Sequence, residues 1–225
     1  MADMTMGRVA QATRDQRSGM QRWLPALPGL LYVVFFVVGF MMVNTPSDDD
    51  SNKKWMDFFA SRSNQIQMLV SGFLVVIAGM LLLTFLTRLH GRIYAGRAIQ
   101  DRDPLPLVAA AAAGGLVATG AIVVATVPGA MIFGSLHVPS ADILRLTSDM
   151  GFPLLAVGGG FAAALAIVTM TRAAQRSGYF GRALSIFSYV AAAAAVAEFM
   201  FFPIAVVLIW VLVVSVVLVR RPALA

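Results

Sequence analysis

The 225-residue chain contains no cysteine, and only 12% of its residues are charged. Without thiols it has no disulfides to staple outer loops and no thiol redox chemistry. A soluble domain carries about 25% charged residues, so roughly half of the usual solvating charge is missing. The serine-hydrolase elbow G-x-S-x-G and the zinc signature H-E-x-x-H are both absent. The run Gly158, Gly159, Gly160 sits inside an apolar stretch with no Lys after it, which rules out a phosphate loop. These absences make an enzyme the weakest class, and no cofactor is implied.

What the chain does have is apolar residues, 59% of the total, gathered in blocks without Lys, Arg or Asp. A crossing helix needs about 20 such residues, each rising about 1.5 Å, to pass a hydrocarbon core of about 30 Å. Leu24 to Val43, Ile66 to Thr87, Leu107 to Val127 and Pro153 to Thr171 each meet that length. A longer block, Ala183 to Val219, is interrupted by Glu198 and Pro203 and is divided at Met200. The expected fold is therefore all-α. It is a polytopic transmembrane helical bundle with six spans (24–43, 66–87, 107–127, 153–171, 183–200, 203–219) paired as three antiparallel hairpins. A basic tail over 1–23 precedes this membrane domain of 24–220, and a short tail over 221–225 follows it.

Lys and Arg in short loops accumulate on the cytoplasmic side. With six spans and both termini inside, thirteen of the 17 basic residues are cytoplasmic. They are Arg8, Arg14, Arg17 and Arg22, then Arg88, Arg92, Arg97 and Arg102, then Arg172, Arg176 and Arg182, then Arg220 and Arg221. Lys53, Lys54, Arg62 and Arg145 remain outside. Five spans would export Arg220 and Arg221. The net charge of +6 then marks topology and contact with anionic inner-leaflet lipid of the plasma membrane. Nucleic acid is not an expected partner, because the basic residues are scattered and no aromatics interleave with them. The first block is read as an anchor and not a cleaved leader, since mostly polar residues precede it.

The first outer loop, 44–65, holds Trp55, Phe58 and Phe59 on one helical face, with Ser51 as its cap. Such a segment is expected in the outer interface with its aromatics at headgroup level; the functional reading is a lid over a cavity. Further on, Pro128 and Gly129 are expected to break the third helix. Ser140 is then expected to cap a short helix, Ala141 to Asp149, with Asp142 near its positive end. Gly158, Gly159 and Gly160 align at four-residue spacing with Ala162, Ala163 and Ala164, a face for close helix packing that makes the fourth helix central. The sixth helix, with Trp210 among Val, Leu and Ile, is expected to face lipid.

Glu198 is the only acid inside an apolar block, where an acid usually has a partner or a role. On the six-span reading it lies just beneath the outer surface, within reach of Arg62, Arg145 or His137. His137, Asp142, Asp149 and Glu198 then form a candidate polar cluster. His137 and His90 fall on opposite sides, so they share neither a zinc ion nor a haem; a His and Met pair stays open with 13 methionines. Two roles remain. In one, an outward cavity beneath Trp55, Phe58 and Phe59 binds a lipid or hydrophobic small molecule through Glu198, His137, Arg145 and Asp142. In the other, small-residue faces dock on a larger membrane complex or on a second copy.

The first span ends VGFMMVNTP, an acidic loop with an aromatic helix follows, and the chain closes FFPIAVVLIWVLVVSVVLVRR. In these features it resembles a group of actinobacterial multi-pass membrane proteins classed as a domain of unknown function. Arginine far outnumbers lysine and alanine is abundant, as in a high-GC bacterium. The resemblance implies six spans and brings no catalytic motif.

Overall fold

Within hydrocarbon every backbone N–H and C=O must be satisfied internally, and a helix does this within one segment. The computed structural model describes residues 23–98, 101–134, 136–200 and 203–220, and every regular element among them is helical. The two terminal tails, with Arg8, Arg14, Arg17, Arg22 and Arg221, lie outside the described residues.

The elements are α1 (Leu27–Met42), α2 (Asn52–Ala60), α3 (Arg62–Ile93), α4 (Leu105–Phe133), α5 (Ala141–Pro153), a π-helical turn (Leu154–Gly158), α6 (Gly159–Arg176), α7 (Arg182–Val196) and α8 (Ile204–Arg220). α3, α4 and the continuous helix Ala141–Arg176 are long and apolar enough to cross a membrane. α1, α7 and α8 are apolar but shorter, at 16, 15 and 17 residues. Pro28 and Pro106 sit in the first turns of α1 and α4, where a missing N–H costs nothing. At the end of α6, Gly178 takes φ 71° and the Phe180 amide donates to the Ala174 carbonyl at 3.2 Å, closing the helix in a glycine cap.

The helices run alternately up and down, and glycines set how closely they approach. A Cβ at Gly79 would lie 2.6 Å from the Gly114 carbonyl oxygen, so α3 and α4 touch backbone to backbone. Gly120 meets Gly151 and Leu155 in the same way, joining α4 to α5 and the π turn. Gly39 of α1 faces Val75 of α3, Gly29 faces Ser215 of α8, and Gly160 of α6 faces the Ala195 carbonyl of α7. Alternation gathers Arg88, Arg92, Arg97, Arg102, Arg172, Arg176, Arg182 and Arg220 at one end of the bundle. Lys53, Lys54, Arg62 and Arg145 lie at the other, with α2. The bundle thus has an arginine end and an α2 end.

Several expectations are corrected. Pro128 does not stop α4, which continues to Phe133; one proline removes a single ladder bond and the flanking apolar turns hold the helix. Ser140 stands at the start of α5 but its side chain makes no capping hydrogen bond, and the helix does not stop at Asp149 either. It runs through Pro153, whose missing N–H is absorbed by the π turn that follows, and joins α6. The fifth apolar block stops at Val196, short of Met200, and a 3-10 turn over Glu198–Met200 follows. α8 is not a lipid-facing helix on its Trp210 side. Trp210 is buried, its ring meets Phe85 edge-on, and its Nε1 donates to Ser188 Oγ at 2.9 Å. The most extensive packing joins α3 to α4 and is not centred on α6.

Candidate functional site

α2 is held down by a dense set of local bonds. The Ser47 amide and the Lys54 Nζ both donate to Asp50 Oδ2 at 2.8 Å, and the Lys54 amide donates to Ser51 Oγ at 3.3 Å as the expected cap. The Lys54 bond, followed by the Ser47 amide, holds the Asp50 carboxyl below the usual carboxylate range. At the other end of α2, the side-chain amides of Asn64 and Gln65 donate to the Phe58 and Phe59 carbonyls at 2.9 and 2.7 Å. They satisfy acceptors that a helix end leaves open.

The aromatic face of α2 points into protein and not toward headgroups. Trp55 and Phe59 are almost fully buried and stacked, packed with Met68, Val127, Ala141 and Leu144; Phe58 is half-buried against them. The Trp55 Nε1 donates to the Ser47 carbonyl at 3.0 Å. Interfacial anchoring, the sequence-based expectation for these rings, is therefore replaced by packing onto α3, α4 and α5.

Arg145 of α5 locks this arrangement. Its Nη1 donates to Asn52 Oδ1 and its Nη2 to the Asp50 carbonyl, both at 2.6 Å, while its guanidinium lies 5.6 Å from the centre of the Trp55 ring. Its ion pair with Asp142 is looser at 3.8 Å, and Asp142 is mostly exposed.

Beneath α2 and its leading loop lies a cavity of about 600 Å³. Phe40, Val43, Val75, Ala121, Val124, Phe152 and Leu155 supply apolar wall. Thr45, Ser47, Asp48, Ser148 and Asp149 supply polar groups, and Trp55 closes one side. Close helix contacts make the rest of the wall, with Gly72 and Gly151 among the lining residues. Gln67 Nε2 and Ser71 Oγ donate to the Met42 and Gly39 carbonyls, each at 2.7 Å, fixing the end of α1 beside the opening.

Glu198 is not part of this cavity. It lines a much smaller one with Tyr32, Phe36, Leu82, Val117, Leu155 and Trp210. A Cβ at the neighbouring Gly160 would lie 3.2 Å from Glu198 Oε2, and Gly159 abuts Val117 near the middle of α4. Glu198 thus sits at mid-height in the bundle, buried, and makes no ion pair among the described residues. The expected grouping of Glu198 with Arg145, Arg62 or His137 does not form: Arg145 is committed to α2 and Arg62 bonds Gln65. His137 is exposed and lines neither cavity. The physical reason is that α7 is short, so its tip does not reach the α2 end. Leu155 borders both cavities and is all that relates them.

The small-residue face is spent inside the chain. Gly158 meets Leu116, Gly159 meets Val117 and Gly160 meets Ala195, while Ala163 and Ala164 are buried and Ala162 is half-buried. At the arginine end, His90 Nε2 lies 3.2 Å from the Asp103 carbonyl and the ring lies against Tyr94 at 4.4 Å. Burial pushes its imidazole below the ordinary value, against the opposing pull of that carbonyl.

Among the described residues no group of three or more His, Asp or Glu is placed to hold a metal ion. No protein-family model, curated protein or solved structure matches the chain. The residues that line the cavity from the π turn and its approach, Ser148, Gly151, Phe152 and Leu155, had no sequence signal as a group. The approach of Gly120 to Gly151 that aligns them is visible only in three dimensions.

Proposed function

We propose that this chain is a multi-pass protein of the plasma (cytoplasmic) membrane, with both termini cytoplasmic and the closing pair α7 and α8 re-entrant instead of the fifth and sixth crossings expected, that binds a lipid or hydrophobic small molecule in an outward-facing cavity without catalysing a reaction. The cavity beneath α2 carries the reading. At about 600 Å³ it falls within the usual range of small-molecule sites, about 300–1,000 Å³, and has their usual make-up of apolar walls with a few polar groups. α2 has the position of a lid, pinned by Arg145. The orientation is supported by the arginine end, since Lys and Arg gather on the cytoplasmic side.

The shortness of α7 and α8 fits a hairpin whose tip, with Glu198, stays near mid-depth among protein side chains; non-helical backbone is tolerated at membrane depth when so enclosed. A role as an accessory subunit or homo-oligomer through the glycine and alanine face has less support, because that face is occupied by α4 and α7.

Native mass spectrometry of protein extracted gently from its own membrane tests the proposal. A small molecule retained by the native chain and lost from Ser148→Trp, which fills the cavity from a half-buried position, is the expected result. Retention unchanged in that variant, with the protein monodisperse, would place the ligand elsewhere. A stoichiometric protein partner in place of a small molecule would favour the subunit role.

A further inference from the structure

We propose that the cavity beneath α2 selects a lipophilic cation, an apolar body carrying one positive charge; this narrows the ligand class and rests on reading the cavity as a binding site. Several acids of this end are already paired. Asp50 pairs with Lys54, Asp57 with Lys53 and Asp142 with Arg145. The two acids that line the cavity, Asp48 and Asp149, make no ion pair among the described residues, and no Lys, Arg or His lines it. Arg145 is turned onto the Asp50 carbonyl and Asn52, covers the Trp55 ring and pairs with Asp142, and it does not line the cavity. The opening is therefore net negative over apolar walls that include Phe40, Val124 and Phe152. An anion entering it meets repulsion from two carboxylates with no cation to offset them, and a cation of the same shape meets attraction.

The probes that test this are tetraphenylphosphonium and tetraphenylborate, equal in shape and opposite in charge. Binding is measured on the full chain in nanodiscs of zwitterionic lipid, with protein-free nanodiscs subtracted. Saturable phosphonium binding about ten-fold or more tighter than borate is expected, weakening as salt is raised because the opening is solvent-exposed. Asp48→Asn with Asp149→Asn, both exposed positions that leave the packing intact, is expected to remove the preference. Equal binding of the two ions to the native chain, or tighter borate binding, overturns the charge selection while leaving the cavity reading in place. A phosphonium preference that survives the double substitution overturns the assignment to these two acids. Binding of neither ion overturns both readings.

Discussion

Glu198 shows how one position depends on its surroundings. A carboxylate taken out of water without a partner is costly, and the cost is relieved when the group cannot ionise. Glu198→Gln keeps the shape, so it is expected to leave the melting temperature in detergent unchanged or raised. Gly160→Ala is expected to do the opposite. Its methyl group would press on the Ala195 carbonyl and on Glu198 Oε2, an overpacking cost of about 1–3 kcal/mol. A drop in melting temperature for Gly160→Ala with none for Glu198→Gln is the pattern to look for. A large drop for Glu198→Gln would mean that the carboxylate holds the bundle together. That Glu198 stands out was legible in the sequence, as the one acid in an apolar block. Its neighbours were not, because they depend on where α7 ends, and one short 3-10 turn decides that.

Among the helices, the connection from α3 to α4 carries a pH dependence. The His90 imidazole is depressed from its ordinary value near 6.5, so the unfolded chain binds a proton that the folded chain resists. The stability of this connection is full above about pH 6.5 and is lost as pH falls through the folded value. Amide exchange at Tyr94 and Ala95, whose N–H groups bond the His90 and Arg92 carbonyls, is expected to quicken between pH 7.5 and 5.5 beyond the intrinsic rate change. In His90→Gln that extra change should vanish. Its persistence would assign the effect to another group. α2 teaches a different lesson about elements. Its helical face and Ser51 cap were readable from spacing, whereas burial of Trp55 and Phe59 depends on α3, α4 and α5 offering a surface that no local pattern describes.

For the bundle as a unit, the absence of native cysteine makes the proposed orientation directly testable. Ser140→Cys lies exposed at the α2 end and Ala98→Cys lies exposed at the arginine end. A membrane-impermeant maleimide applied to intact expressing cells is expected to label the first and to reach the second only after the membrane is opened. The reverse pattern would invert the orientation, and labelling of both in intact cells would show that the two ends are not separated by a bilayer.

Hydropathy and charge are summed along the chain, so the apolar blocks, their helical state and the segregation of arginine were all determined before any fold was known. The break near Glu198 and Pro203 was legible for the same reason. Contacts between distant segments are not summed in this way. Backbone approach at Gly79 with Gly114 and Gly120 with Gly151, the passage of the chain through Pro153 by a π turn, and the turning of Arg145 onto α2 were each decided by tertiary packing. So was the cavity. It exists because five separate stretches of chain meet around a space that none of them fills, and the volume left between helices follows from their crossing and register, which no single stretch encodes.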